Sequence, residues 1–222
     1  MTWKKNQVFL PDLSHYEWPC NLKALAQAGC VGVIWKATEG ESYHDVSYDE
    51  AREAATEAGL LWGAYHFGDS SPVQSQIDNF LLFAKPGAQD LFCLDFENNA
   101  NKTMSVVQAE QWLTGVEATL KRPNHGVLYS GNLIKETLAA NIDTFWSAHR
   151  LWLAQYSTRA VLPKAWKTYW LWQFTDGSSG PIPHTVAGVK GTCDVNVYDF
   201  DETRLKAEWA SGLAPDPTPL AK

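Results

Sequence analysis

The chain predicts an α/β fold: an irregular (β/α)-barrel of about five βα units followed by three strands lacking helices, the last antiparallel. Three observations carry this. Apolar runs bounded by turn residues recur eight times along the 222 residues. Helix start and stop signals separate the early runs. The later connections hold Pro163 and then a Gly- and Pro-rich stretch over 175–192, which suits loops rather than crossover helices.

The runs fall at 8–10, 31–35, 60–67, 91–96, 127–129, 151–156, 169–174 and about 193–198. Ser47 with Glu50 reads as a capping box, and Gly59 closes that helix. Ser71, Pro72 and Gln74 supply a cap, a first-position proline and a second box. Ser105 with Gln108 starts a third helix that stops before Pro123. Residues 21–28 and the segment after Gly131-Asn132 are weaker helical candidates. One domain over 1–212 accounts for all of this, with a Pro-rich tail over 213–222 expected to be disordered.

Composition narrows the function. Hydrophobic residues make up 45% and charged residues 19%, as in an ordinary soluble globular domain. No apolar stretch is long enough to span a bilayer, and Met1–Asn6 is not followed by the apolar core of a secretory signal, so neither membrane insertion nor a leader is expected. A net charge of −7 argues against a nucleic-acid partner, whose phosphates demand clustered Lys and Arg. Cys20, Cys30, Cys93 and Cys193 have no metal-ligand spacing; His15, His44 and His66 have none either, so no metal is expected and the thiols should be reduced.

The most informative motif is Asp95-Phe96-Glu97, which ends the apolar run Leu91-Phe92-Cys93-Leu94. Side chains alternate along a strand, so the two carboxylates face one way, roughly 6.7 Å apart. At an effective dielectric of 20 their repulsion is about 2.5 kcal/mol, enough to leave one acid neutral near pH 6 while the other stays charged. That split suits acid-catalysed glycoside cleavage. Asp12, Glu39, Tyr65, Tyr129, Gln155, Tyr156 and Gln173 also fall at or just past predicted strand ends, the rim where barrels assemble chemistry. Asp194 starts the eighth run and reaches that rim if the strand runs antiparallel.

In motif and order the sequence resembles the glycoside hydrolase family 25 lysozymes. The matching segments are Asp12-Leu13-Ser14-His15-Tyr16, Ile34-Trp35-Lys36-Ala37-Thr38-Glu39-Gly40 with Tyr43-His44-Asp45, Gly63-Ala64-Tyr65-His66-Phe67 and Asp95-Phe96-Glu97. Tyr129-Ser130, Leu151-Trp152-Leu153-Ala154-Gln155-Tyr156, Trp172-Gln173-Phe174 and Cys193-Asp194-Val195-Asn196 follow. Together they cover roughly 8–200. The resemblance implies cleavage of the β-1,4 bond between N-acetylmuramic acid and N-acetylglucosamine in peptidoglycan, without metal or cofactor. It implies Glu97 as general acid/base, with Asp95 and Asp194 as charged partners and Asp12 binding a sugar hydroxyl or orienting a neighbour. Retention with help from the substrate's 2-acetamido group is also implied, since the strand repeat by itself does not fix stereochemistry.

Tyr65, Tyr129, Tyr156, Trp172 and Gln173 are the expected substrate-binding residues, the aromatic ones offering faces to pyranose rings. Glu39 reads better as an ion-pair partner of Lys36 or a loop residue, and the three histidines as structural or surface residues. Two departures stand out: Glu17-Trp18 replaces the family's usual Gln-Gly, and Trp35 replaces one of an aliphatic pair. A chitinase-like reading fails because Cys93 stands where that signature needs its middle Asp. The alternative from another class is a non-catalytic barrel that binds cell-wall glycan. Ser or Cys hydrolysis lacks its elbow motif. The expected partner is the peptidoglycan glycan strand, the expected form a monomer, and the expected route to the wall either lysis, as for a phage endolysin, or dedicated export.

Overall fold

The computed structural model describes residues 7–138, 144–209 and 211, so the expected 213–222 tail lies outside the described residues. Strands β1 (Val8–Leu13), β2 (Gly32–Glu39), β3 (Tyr43–His44), β4 (Leu61–Phe67) and β5 (Leu91–Asp95) are followed by β6 (Val127–Ser130), β7 (Arg150–Ala154), β8 (Leu171–Thr175) and β9 (Asp194–Tyr198). Helices α1 (Leu22–Gln27), α2 (Tyr48–Glu57), α3 (Val73–Ala84) and α4 (Val106–Leu120) separate the early strands; α5 (Asn132–Thr137) and α6 (Thr144–Ala148) follow β6. The sheet order is β1-β9-β8-β7-β6-β5-β4-β2-β3, and β1 also pairs with β2, closing an eight-stranded barrel with β3 appended. Within the barrel, neighbours from β1 through β8 are parallel, whereas β9 is antiparallel to both β1 and β8 and the appended β3 is antiparallel to β2. Five βα units, then three strands joined by loops, is the architecture the sequence predicts.

Local signals explain several boundaries. Ser105 and Gln108 cap each other reciprocally at the start of α4. Gly59, at φ +73°, lets the Gly59 and Leu60 amides turn back to the Thr56 and Ala55 carbonyls and ends α2. Two expected caps are not made. The Ser47 hydroxyl instead donates to Asp45 Oδ1 at 2.6 Å and accepts from Trp35 Nε1, while Glu50 accepts from Trp18 Nε1. The hydroxyl of Ser71 turns to Asp69, and α3 begins after Pro72 with no side-chain cap. In both places a carboxylate, a stronger acceptor than a hydroxyl is a cap, wins the serine. The exposed β3 escapes prediction because its two residues carry no apolar alternation. A seventh helix, α7 (Glu202–Trp209), also goes unpredicted; the Trp209 indole donates to the Trp62 carbonyl, docking it against the barrel.

Alternation along the strands builds two cores. Leu91 and Cys93 of β5 belong to the cluster inside the barrel with Leu10, Ile34, Val127, Trp152, Leu171 and Tyr198. Phe92, Leu94 and Phe96 belong to the cluster between barrel and helices. Asp95 and Glu97 therefore continue the inward row past its last apolar member. The same row logic brings Asp12 after Leu10, Gln173 after Leu171, and Asp194 and Asn196 before Tyr198 into the barrel. The four cysteines are free thiols, as expected.

Candidate active site

Four carboxylates meet at the C-terminal mouth of the barrel. Asp12 on β1 and Asp194 on β9 are directly paired in the strand register. Gln173 of β8 bridges them: its amide nitrogen donates to both oxygens of Asp12, at 2.9 and 3.1 Å, and stands 3.4 Å from Asp194 Oδ2. Asp95 lies across the mouth, with Phe67 and Tyr129 as its register partners on β4 and β6.

A relay of donors fixes Asp12. The Trp152 indole donates to Asn196 Oδ1 at 2.6 Å, and Asn196 Nδ2 donates to Asp12 Oδ2 at 2.7 Å and to the Leu10 carbonyl at 3.0 Å. From the other side Tyr129 donates to Gln173 Oε1 at 2.7 Å, which orients the amide toward Asp12. Every atom in this relay is used, so the carboxylate has one orientation.

Electrostatics sets the site apart from an ordinary acidic surface. Burial is the largest influence on all four acids, and each is pushed above the usual carboxylate range. Glu97 rises to about 7, from burial and then the negative Asp12. Asp194 rises to about 9, from burial, then Asp12 and Glu17. Asp12 is held to about 6 because Asn196 and Gln173 oppose its burial. Asp95 is raised by burial and by Glu97 and is eased by Lys36. Its Oδ1 is buried with no hydrogen-bond partner among the described residues, a costly arrangement for a full negative charge. Repulsion between Asp95 and Glu97 thus comes second to desolvation, and both acids are raised.

The expected substrate residues divide. Tyr65 is surrounded by Asp95, Asp12 and Asp194, which with burial raise its phenol well above the usual value. Tyr129 joins the relay, and Tyr156 hydrogen-bonds Tyr129 while remaining 38% exposed. Beside Glu97 opens a cavity of about 480 Å³ lined by Tyr156, Gln155, Asn98 and Gly131. A side chain at Gly131 would meet the Ala154 carbonyl at 2.9 Å, so the glycine keeps β6 and β7 close there. Trp172 does not join them. It is 3% exposed on the outer face of β8, packed in the helix-side core, and its indole donates to the Gln155 carbonyl. One residue separates it from Gln173, and on a strand one residue reverses the face.

Glu39 is ion-paired with Lys36 at 2.7 Å, as expected. His66 is buried between Thr38 and Gln76, His15 pairs with Asp45 and His44 with Asn79, so each of the three is held by a neighbouring side chain. Sequence reasoning missed Asn196 and Trp152 as site residues, although both stand in quoted motifs; their inward row positions were the available signal.

A family model described as Glycosyl hydrolases family 25 matches residues 11–182. Lysozyme M1 of Streptomyces globisporus is 27% identical over 209 residues, covering 88% of this chain and 69% of the relative. The uncharacterized protein YegX of Escherichia coli O157:H7 is 32% identical over 181 residues, covering 78% of this chain but 60% of its own length. Among solved structures, a muramidase from Trichobolus zukalii superposes with a TM-score of 0.73 at 27% identity, covering 91% of this chain and 99% of that one. With the match spanning most of the barrel and all four rim carboxylates in place, the chain belongs to glycosyl hydrolases family 25.

Proposed function

We propose that the chain is a peptidoglycan hydrolase, cleaving the β-1,4 bond between N-acetylmuramic acid and N-acetylglucosamine. The observation that carries this reading is the gathering of Asp12, Asp95, Glu97 and Asp194 at one mouth, with Glu97 raised to about 7 beside an open cavity. A carboxyl poised there gives up a proton to a leaving oxygen and later, ionised, takes one from water.

In this mechanism Glu97 protonates the glycosidic oxygen as the C1–O bond breaks. The carbonyl oxygen of the substrate's 2-acetamido group bonds to C1 on the opposite face, forming an oxazolinium ion. The unpartnered Oδ1 of Asp95 accepts the acetamido N–H, and negative charge on Asp95 or Asp194 stabilises the cation. Glu97, now a carboxylate, takes a proton from the incoming water, whose oxygen adds to C1 and reopens the ring with net retention. Asp12, fixed by Asn196 and Gln173, holds a sugar hydroxyl, and Tyr65, Tyr129 and Tyr156 line the path of the sugars. Among the described residues no group of three or more His, Cys, Asp or Glu is placed to hold a metal ion.

The substrate partner is the glycan strand, and the acting species a monomer that reaches the wall through lysis or dedicated export. Among the described residues no helix is long and apolar enough to cross a membrane. The deciding experiment is mass analysis of digested peptidoglycan. Fragments ending in reducing N-acetylmuramic acid support the assignment; reducing N-acetylglucosamine ends, or peptide cleavage, overturn it. A barrel that only binds glycan would leave a turbid wall suspension unlysed.

A further inference from the structure

Among the described residues the exposed aromatic side chains are Tyr16, Tyr43 and Tyr156, and all three stand on the active-site rim. Tyr156 belongs to the wall beside Glu97. Tyr16 and Tyr43 do not: Tyr16 sits on the loop after β1, and Tyr43 on the hairpin after β2. Around the closed barrel β1 and β2 lie three to four strands from β6 and β7, so the loops that carry these two tyrosines stand across the mouth from the Tyr156 wall.

They also form one built surface. Tyr16, 82% exposed, lies on the His15 ring with centroids 4.1 Å apart. His15 is fixed from below by the buried Asp45, whose Oδ2 is 2.8 Å from Nδ1 and accepts the His15 amide at 3.1 Å. The Tyr43 hydroxyl is 3.3 Å from the same Nδ1, and Lys36 Nζ stands 5.3 Å over the Tyr43 ring. Asp45 is locked in turn by the amide and hydroxyl of Ser47. A solvent-facing aromatic shelf with a buried carboxylate at its root is preorganised, so a ligand laid on it does not have to order it first.

We propose that His15, Tyr16 and Tyr43 form a distal sugar subsite, which stacks a pyranose of the glycan strand on the side of the scissile bond opposite the Tyr156 wall. The inference rests on the hydrolase reading for the identity of the polymer. Its geometry rests on the shelf and on the opposition of the two walls. A β-linked amino-sugar chain laid from one wall to the other passes over the carboxylates, and its apolar ring faces match the exposed phenol faces.

The test separates the subsite from the chemistry. Binding of catalytically disabled Glu97→Gln protein to purified uncrosslinked glycan strands is measured with and without Tyr16→Ala, using strands of four sugars and of more than ten. The subsite predicts about a tenfold rise in Kd for long strands, little change for the short ones, and recovery by Tyr16→Trp. Equal effects on both lengths, or none, overturn it. Since Tyr16 is exposed, an unchanged melting temperature should confirm that the variant is folded. Turnover by the otherwise unaltered protein is measured alongside: intact length-dependent binding without release of reducing ends sinks the hydrolase reading and leaves the subsite standing.

Discussion

Two glutamates, the half-buried Glu97 and the buried Glu117, twenty residues apart in sequence, meet opposite fates. Glu117 on α4 is 7% exposed, yet its carboxyl is held below the usual range. Its oxygens accept from the Gly126 amide at 2.8 Å, the Asn124 amide at 3.0 Å and His149 Nε2 at 3.1 Å. Glu97 at the mouth has burial and the negative Asp12 acting on it, with no donor among the described residues to offset them, and it rises to about 7. The far end of the barrel repeats the Glu117 solution. There Glu208 accepts from Tyr198, Trp170 and Arg204, while the buried Arg150 donates to the Glu208 and His125 carbonyls and lies over the Trp170 ring. The fold thus surrounds Glu117 and Glu208 with donors away from the mouth and leaves carboxyls crowded where chemistry is done.

The contrast is open to attack at several points. The largest effect expected is on activity: Glu97→Gln keeps the volume but loses the exchangeable proton, and kcat/KM should fall by roughly a thousandfold or more with no loss of melting temperature. Lysis at the original rate would remove Glu97 from the chemistry. Glu117→Ala should do the reverse. It strands two backbone amides and a histidine, costing about 2–3 kcal/mol in a urea titration while leaving kcat at 25 °C within about twofold.

A smaller effect sharpens the sign. Because Asp194 is raised to about 9, ionising it disfavours the folded state as pH rises above the ordinary carboxylate range. Asp194→Asn should therefore stabilise the protein at pH 7 by on the order of 1 kcal/mol, a gain that vanishes near pH 4, while activity drops. Loss of stability at pH 7 would mean that the carboxylate is needed structurally. Finally, with Glu97 at about 7, kcat/KM should fall as pH climbs past neutrality and the acid is lost. Stability follows the same competition. The four raised acids destabilise the fold as pH rises from about 4, whereas Glu117, with its lowered value, adds stability above its unfolded value and loses it as pH falls through its folded one. A Glu117→Ala protein should accordingly show a steeper decline in melting temperature from pH 4 to pH 8 than the unaltered chain.

The sequence by itself determined the barrel and most of its mouth, because both are written in short-range patterns. Period-two alternation ending in Asp95-Phe96-Glu97 specifies an inward pair, and turn-bounded apolar runs with Ser105-Gln108 and Gly59 signals specify the βα order. Even the reversed final strand followed, from the position of Asp194 at its start and the loop before it. What the tertiary structure alone decided is which side chains meet. Ser47 and Ser71 leave their helix ends for carboxylates, Trp172 turns to the helix layer one residue from Gln173, and Asn196 reaches Asp12 from 184 positions away. It also decided protonation, since the dominant influence on every rim acid is burial, and burial belongs to the packed barrel rather than to any stretch of chain.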